Sequence, residues 1–270
     1  MMGLATCALL ALVAQSVDHE RGAWSSEMRQ ARPAAKPAAL ARPATAARPS
    51  SGLVGITLWR LRPSQASDQA RILVHEDDTN REMTPERIRT STMLFPNDRL
   101  RLTIESARRG YLYVISRERY RDGSVGVPYL IFPSKRILGG QHAVEPGRIV
   151  EIPEPTNRRP YLTLRRSRPD HAFEEVIVLV APQSLPGRYL VESQPLALDA
   201  AEVERWRQQW GGPTRVLESR SSGLWTPAEK TAAATGSLLS PQDPAPQTLF
   251  RIERPADQPI LVPIQLRLAE

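Results

Sequence analysis

The residue pairs most open to chemistry begin with Ser134 and Lys135, inside "YLIFPSKRILGG" (residues 129–140). A serine activated by lysine performs acyl transfer when both side chains share one face of a helix. Here the two are adjacent on a stretch that reads as extended, and neighbours on a strand point to opposite sides. Neither a Gly-x-Ser-x-Gly elbow nor a phosphate-cradling Gly-x-x-x-x-Gly-Lys-Ser/Thr loop is present, so the segment reads as a strand leaving a sheet. Glu76, Asp77 and Asp78 offer oxygen ligands to a hard cation, but without the spacing of a calcium loop they read as a solvated turn. Glu174 and Glu175 are the residue types of a glycosidase pair, yet sequence neighbours on a strand face opposite ways. Asp170 and His171 have no serine at a useful spacing and read as loop polarity. The histidines (His19, His75, His142 and His171) show no i, i+4 pair, and Cys7 is the only cysteine. No Gly-x-Gly-x-x-Gly joins a strand to a helix. The sequence therefore designates no catalytic residue, no metal ligand and no cofactor.

Binding is the better-supported chemistry. Tyr111 and Tyr113 stand two apart on one strand face, and Tyr129 belongs to an expected neighbouring strand. Tyrosine has an apolar ring and a polar tip, which suits stacking against sugars or proline-rich peptide. The same residues can equally close the rim of a core, since aromatic pairs stabilise sheets in their own right. Beside them lies an expected loop over residues 117–122, where Arg117, Arg119 and Asp122 supply charge.

The formal net charge of +7 is unevenly placed. Residues 21–50 carry six basic side chains (Arg21, Arg29, Arg32, Lys36, Arg42 and Arg48) against Glu27, and residues 1–20 carry Asp18 and Glu20. What remains is a weak field over the body of the chain, which argues against nucleic acid as a partner.

These side chains must be positioned by a largely β framework. The apolar run "GLATCALLALVA" followed by "AQS" predicts a signal peptide over residues 1–16. The run is too short to span a bilayer. Residues 17–52, rich in Ala, Pro and Arg, read as a disordered linker. From residue 53, short apolar segments recur between turn signals such as Asp122-Gly123, Gly139-Gly140 and Pro146-Gly147. "RLRLTIES" (99–106) alternates Leu100, Leu102 and Ile104 with Arg101, Thr103 and Glu105, a half-solvated strand expected to form a hairpin with "GYLYVIS" (110–116). Further strands are expected at 128–132, 148–152, 161–165, 175–181 and 188–192. "MTPERI" (83–88) has the signature of a helix start, with Thr84 as cap, Pro85 at the first turn and Met83 and Ile88 as a staple. Asp199 and Thr226 open two more helices, the first placing Val203, Trp206 and Trp210 on one face. "PILVPIQLRL" (259–268) reads as an edge strand because of Pro263, docked beside residues 53–61. The expected fold is mainly β, an antiparallel β-sandwich-like domain over 53–197 with a helical extension and terminal strands over 198–270.

Three stretches, "NDRLRLTIESARRGYLYVISRE" (97–118), "DGSVGVPYLIFPS" (122–134) and "GRIVEIP" (147–153), resemble the bacterial family called domain of unknown function 4384. "EEVIVLVAPQSL" (174–185) fits that family's closing strand, so the resemblance covers about residues 90–185. It implies a compact β-sandwich-like module of extracytoplasmic (periplasmic or secreted) bacterial proteins, and supplies no functional residue. The resulting expectation is a non-enzymatic module that binds an envelope protein or glycan. The alternatives are a hydrolase acting on glycan or peptide through a carboxylate and His142 or His171, and an assembly element that pairs through a sheet edge.

Overall fold

The computed structural model describes residues 23–33, 52–76, 79–153, 160–187, 189–219 and 223–269. The expected signal peptide, most of the expected linker, and Asp77 and Asp78 lie outside these residues. In chain order, helix α1 occupies 23–31. The strands β1 (Gly52–Pro63), β2 (Ile72–Glu76), β3 (Thr79–Ile88), β4 (Arg99–Ser106), β5 (Gly110–Tyr120) and β6 (Tyr129–Phe132) follow. Next come β7 (Ala143–Val144), β8 (Ile149–Ile152), β9 (Leu162–Thr163), β10 (His171–Ala181) and β11 (Leu196–Ala197). Helices α2 (Ala200–Trp210) and α3 (Pro227–Thr235) flank β12 (Thr214–Glu218), and β13 (Thr248–Ile252) and β14 (Ile260–Arg267) close the chain.

The strands form two antiparallel sheets, so the fold is mainly β with a sandwich-like core and C-terminal helices. In the larger sheet β1 is central, with β4 along one side. Along the other side β13 pairs with its first half and β3 with its second. In the smaller sheet the order is β11-β6-β5-β10-β14, with β7 also on β5. Val54, Ile56 and Leu58 of β1 and Leu100, Leu102 and Ile104 of β4 meet Leu112, Val114, Val176, Val178 and Val262 of the facing sheet. This apolar layer, removed from water on both sides, is the main source of stability.

The expected hairpin of β4 with β5 is not formed. β4 pairs with β1, β8 and β9, whereas β5 pairs with β6, β7 and β10, so residues 107–109 carry the chain from one sheet to the other. Leu100, Leu102 and Ile104 of β4 and Leu112 and Val114 of β5 instead pack against each other across the sandwich. Buried Arg108 holds this corner, donating to the carbonyls of Val180, Pro255 and Gln258.

The second face of β4 is not solvated either. Arg101, Thr103 and Glu105 are buried beneath α1, α3 and the segment around Trp225. The charges survive burial because each is paired, Arg101 with Glu151, Arg32 with Glu105 and Arg87 with Glu229.

The expected helix at "MTPERI" is strand β3. Its ladder with β1 runs from Leu58↔Ile88 to Pro63↔Met83, and the Thr84 hydroxyl donates to Asp68 instead of capping a helix. Pro85 is tolerated because β2 pairs only as far as Met83, and the segment that meets this flank beyond it bonds to the Pro85 carbonyl, which accepts from the Trp225 N–H, and to the Arg87 N–H. Tertiary pairing outweighs a six-residue local preference.

The linker expectation fails over 23–33. Trp24 and Met28 of α1 are buried against Leu53, Ala107, Leu217 and Leu249, the periodic apolar pair having found a complementary surface. The C-terminal strand β14 is an edge strand, as Pro263 predicts, but it lies on β10; β13 is the strand beside β1. The expected strand at 188–192 is reduced to a bridge between Val191 and Ser134, with Arg188 outside the described residues. Both C-terminal helices begin where their caps predict. The Asp199 side chain accepts from the Ala201 N–H, and Thr226 with Glu229 forms a reciprocal capping box. α2 then lays Val203 and Trp206 on the outer face of the smaller sheet.

Candidate functional site

β5 is longer than the apolar core it serves. Residues directly opposite in an antiparallel pair share a face, and β5 meets β10 with Val114↔Val178, Ser116↔Val176 and Glu118↔Glu174. Leu112 and Val114 therefore face the sandwich interior, and Ser116, Glu118 and Tyr120 continue that face beyond the end of the core. Here the smaller sheet and its loops at 125–127 and 194–195 leave a cleft of about 870 Å³. The return chain after β5 forms its apolar wall, with Val127 53% and Tyr129 42% exposed, and Ile131 deeper in. Glu118 and Glu174 form its floor.

A third group joins these carboxylates through an irregularity. The pairing advances from His171↔Tyr120 to Phe173↔Arg119 and Glu174↔Glu118, so Ala172 is an extra residue on β10. Without that bulge, positions 171 and 174 would face opposite ways; with it they share a face. His171 is 1% exposed, its Nε2 is 3.6 Å from Glu174 Oε2 and its Nδ1 4.0 Å from Glu118 Oε1. Neither ring nitrogen has a hydrogen-bond partner.

Hydroxyls orient the outer oxygens of both carboxylates. Ser116 donates to Glu174 Oε1, and Tyr120 and Ser167 donate to Glu118 Oε2, the latter at 2.7 Å. The oxygens left over are those turned toward His171. Burial pushes the Glu174 carboxyl above the usual carboxylate range, partly offset by Ser116 and the imidazole. The Tyr120 phenol is raised by its hydrogen bond to Glu118. Its ring is covered by the Arg168 guanidinium, 4.0 Å from the centroid, which Asp122 and Asp170 hold in place.

No family model matches this chain, and no curated protein or solved structure matches it. The reading of the site therefore rests on its own geometry. Among the described residues no helix is long and apolar enough to cross a membrane.

The structure separates the three tyrosines. Tyr113 is buried on the outer face of the smaller sheet, under α2. Its hydroxyl accepts from the Leu185 N–H at 2.9 Å and meets Ser184 Oγ and His142 Nε2. Tyr111 packs beside it against His142, with centroids 5.3 Å apart. Both belong to the core under the helix. Tyr129, opposite Ser116, is on the inner face and lines the cleft. Residues 117–120 are not a loop but the end of β5, and the turn is confined to 121–124. Arg117 is a buried structural cation, with Nε 2.5 Å from Glu175, which also meets Arg207. Arg119 is half-buried on β5 opposite Phe173, outside the cleft lining. Asp122 shapes the turn by accepting from the Ser124 N–H and hydroxyl, which hold its carboxyl below the usual range.

Sequence reasoning missed Glu118, Tyr120, His171 and Glu174 as a group. His171 is not loop polarity but the first, buried residue of β10. The partner of Glu174 is not its sequence neighbour Glu175 but Glu118 on the next strand, and only the β5–β10 register discloses it. The one available signal was polar residues at alternate positions, Ser116, Glu118 and Tyr120, at the end of an otherwise apolar strand face.

Proposed function

We propose that the protein is a non-enzymatic, extracytoplasmic binding module that receives a glycan or protein segment of the cell envelope in this end cleft. The observation that carries the reading is the pairing of an exposed apolar wall, Val127 and Tyr129, with a floor of oriented carboxylates and hydroxyls in one concavity. Pockets of this size and mixed lining are where proteins hold ligands. The Tyr129 ring provides a stacking surface, and the floor accepts hydrogen bonds from hydroxyl or amine groups. The extracytoplasmic location is supported by the apolar run over residues 3–14 and by the family resemblance of residues 90–185.

The test is capture from an envelope extract, and titration of isolated glycans, with wild type and a Val127→Ser/Tyr129→Ala variant. A saturable ligand whose affinity falls at least about tenfold in the variant is expected, since each lost aromatic or apolar anchor contributes more than about 1 kcal/mol. Undiminished binding by the variant would remove the cleft from the proposal. A second reading, glycan hydrolysis, is favoured by one observation: Glu118 and Glu174 face each other across the floor, with Glu174 shifted toward its acid form. Their inner oxygens, however, turn to His171 and not to the cleft. Release of sugar products that stops in Glu174→Gln would establish that reading.

A further inference from the structure

Glu118 and Glu174 are direct cross-strand neighbours, an arrangement in which like charges destabilise a sheet. Such a pair calls for a cation between its members. The side chain that stands there, His171, is buried with both ring nitrogens unbonded, although buried polar groups are nearly always satisfied. The backbone supplies the bulge that turns this imidazole onto the carboxylate face, and bulges of this kind re-aim side chains beside functional sites.

From this we infer that Glu118, His171 and Glu174 form a binding site for a divalent transition-metal ion, zinc or manganese. Among the described residues, one ligand atom from each of the three lies within 4.8 Å of the others. Ligands about 2.1 Å from a tetrahedral ion stand about 3.4 Å apart, so side-chain closure by up to about 1.4 Å completes the set. Two carboxylates and a neutral imidazole balance a divalent charge, and the mixed nitrogen and oxygen donors favour zinc or manganese over calcium. The outer shell is already in place: Ser116 holds Glu174, and Tyr120 and Ser167 hold Glu118, each leaving the inner oxygen available. Three protein ligands leave at least one coordination position open for water or another small donor.

The site is tested on the full chain without any cleft ligand, so its failure would leave the binding reading intact. Protein stripped with a chelator is refilled separately with zinc, manganese or calcium, passed through gel filtration, and its metal content and binding isotherm are measured. One equivalent of zinc or manganese per chain is expected. Glu118→Gln should weaken uptake at least tenfold, and Tyr120→Phe, which removes only an orienting hydroxyl, about tenfold. His171→Gln should abolish it. Because His171 is buried, the Glu118 and Tyr120 variants, altered at partly exposed positions, keep the test informative if that protein does not fold. Val127→Ser/Tyr129→Ala should bind metal like wild type. No stoichiometric zinc or manganese in wild type, equal uptake by every variant, or retention of calcium alone would each overturn the inference.

Discussion

Arg32, in the stretch expected to be disordered, presents a sharp test of how the molecule is held together. All five guanidinium donors are engaged. Nε and one Nη meet the two oxygens of Glu105 at 2.8 and 2.7 Å, and the remaining N–H groups reach the carbonyls of Ser240, Asp243 and Pro244. The Glu105 side chain is 2% exposed, so Arg32→Ala would strand a buried carboxylate whose other donor is the Gly147 N–H at 3.2 Å. Breaking one side of a buried ion pair costs about 3–5 kcal/mol. With a urea dependence of about 2–3 kcal/mol/M for a domain of this size, the unfolding midpoint should fall by about 1–2.5 M. Arg32→Lys should recover little, because three donors from a single nitrogen cannot occupy two carboxylate oxygens and three carbonyls. Arg32→Ala/Glu105→Gln should recover part of the loss by removing the stranded charge, giving a non-additive cycle. Equilibrium urea unfolding followed by tryptophan fluorescence measures these proteins together with Glu105→Gln, with Trp24 on the docked helix reporting directly. A midpoint shift below about 0.3 M for Arg32→Ala would give the pair the weight of a surface contact and refute the reasoning.

Three other perturbations probe separate parts of the structure. Trp206→Ala removes the ring that packs on Tyr189 and stacks on Trp210, and should cost about 3–5 kcal/mol in the same urea assay while loosening α2. Thr226→Ala breaks the capping box of α3 and should cost about 0.5–2 kcal/mol, visible as a lower thermal midpoint. His142, half-buried between Tyr111 and Tyr113, has its pKa lowered by burial. The unfolded chain therefore binds its proton more readily: stability should be complete above about pH 6.5 and decline as pH falls through that value toward the folded pKa. The decline should be smaller in His142→Gln, and an unchanged slope would assign it to other groups.

Features written in adjacent residues were legible in the sequence. Asp199 and Thr226 start helices because capping is local, and the alternation of Leu100, Leu102 and Ile104 marks a strand face because its period belongs to the backbone. What escaped depends on distant partners. Arg101 and Glu105 have the look of solvated positions until Glu151 and Arg32 arrive to neutralise them, and Pro85 reads as a helix start until β1 claims the segment. The candidate site is the extreme case, since Glu118 and Glu174 meet only through strand register and His171 joins them only through one inserted residue. The tyrosines were visible as a group by type and spacing, yet strand pairing places Tyr129 on the opposite face from Tyr111 and Tyr113.

Pro263 governs how this molecule can meet others. It stands opposite Ile177 midway along β14, the free flank of the smaller sheet, and leaves that flank without a donor at its centre. At the opposite flank β11 is two residues long, and the flanking strands of the larger sheet, β2, β12, β8 and β9, have two to five residues. Among the described residues, an incoming strand finds only short or interrupted rows of main-chain groups on which to extend either sheet. Lateral polymerisation is thereby discouraged at the level of the backbone, because extension of a sheet needs a continuous donor and acceptor row.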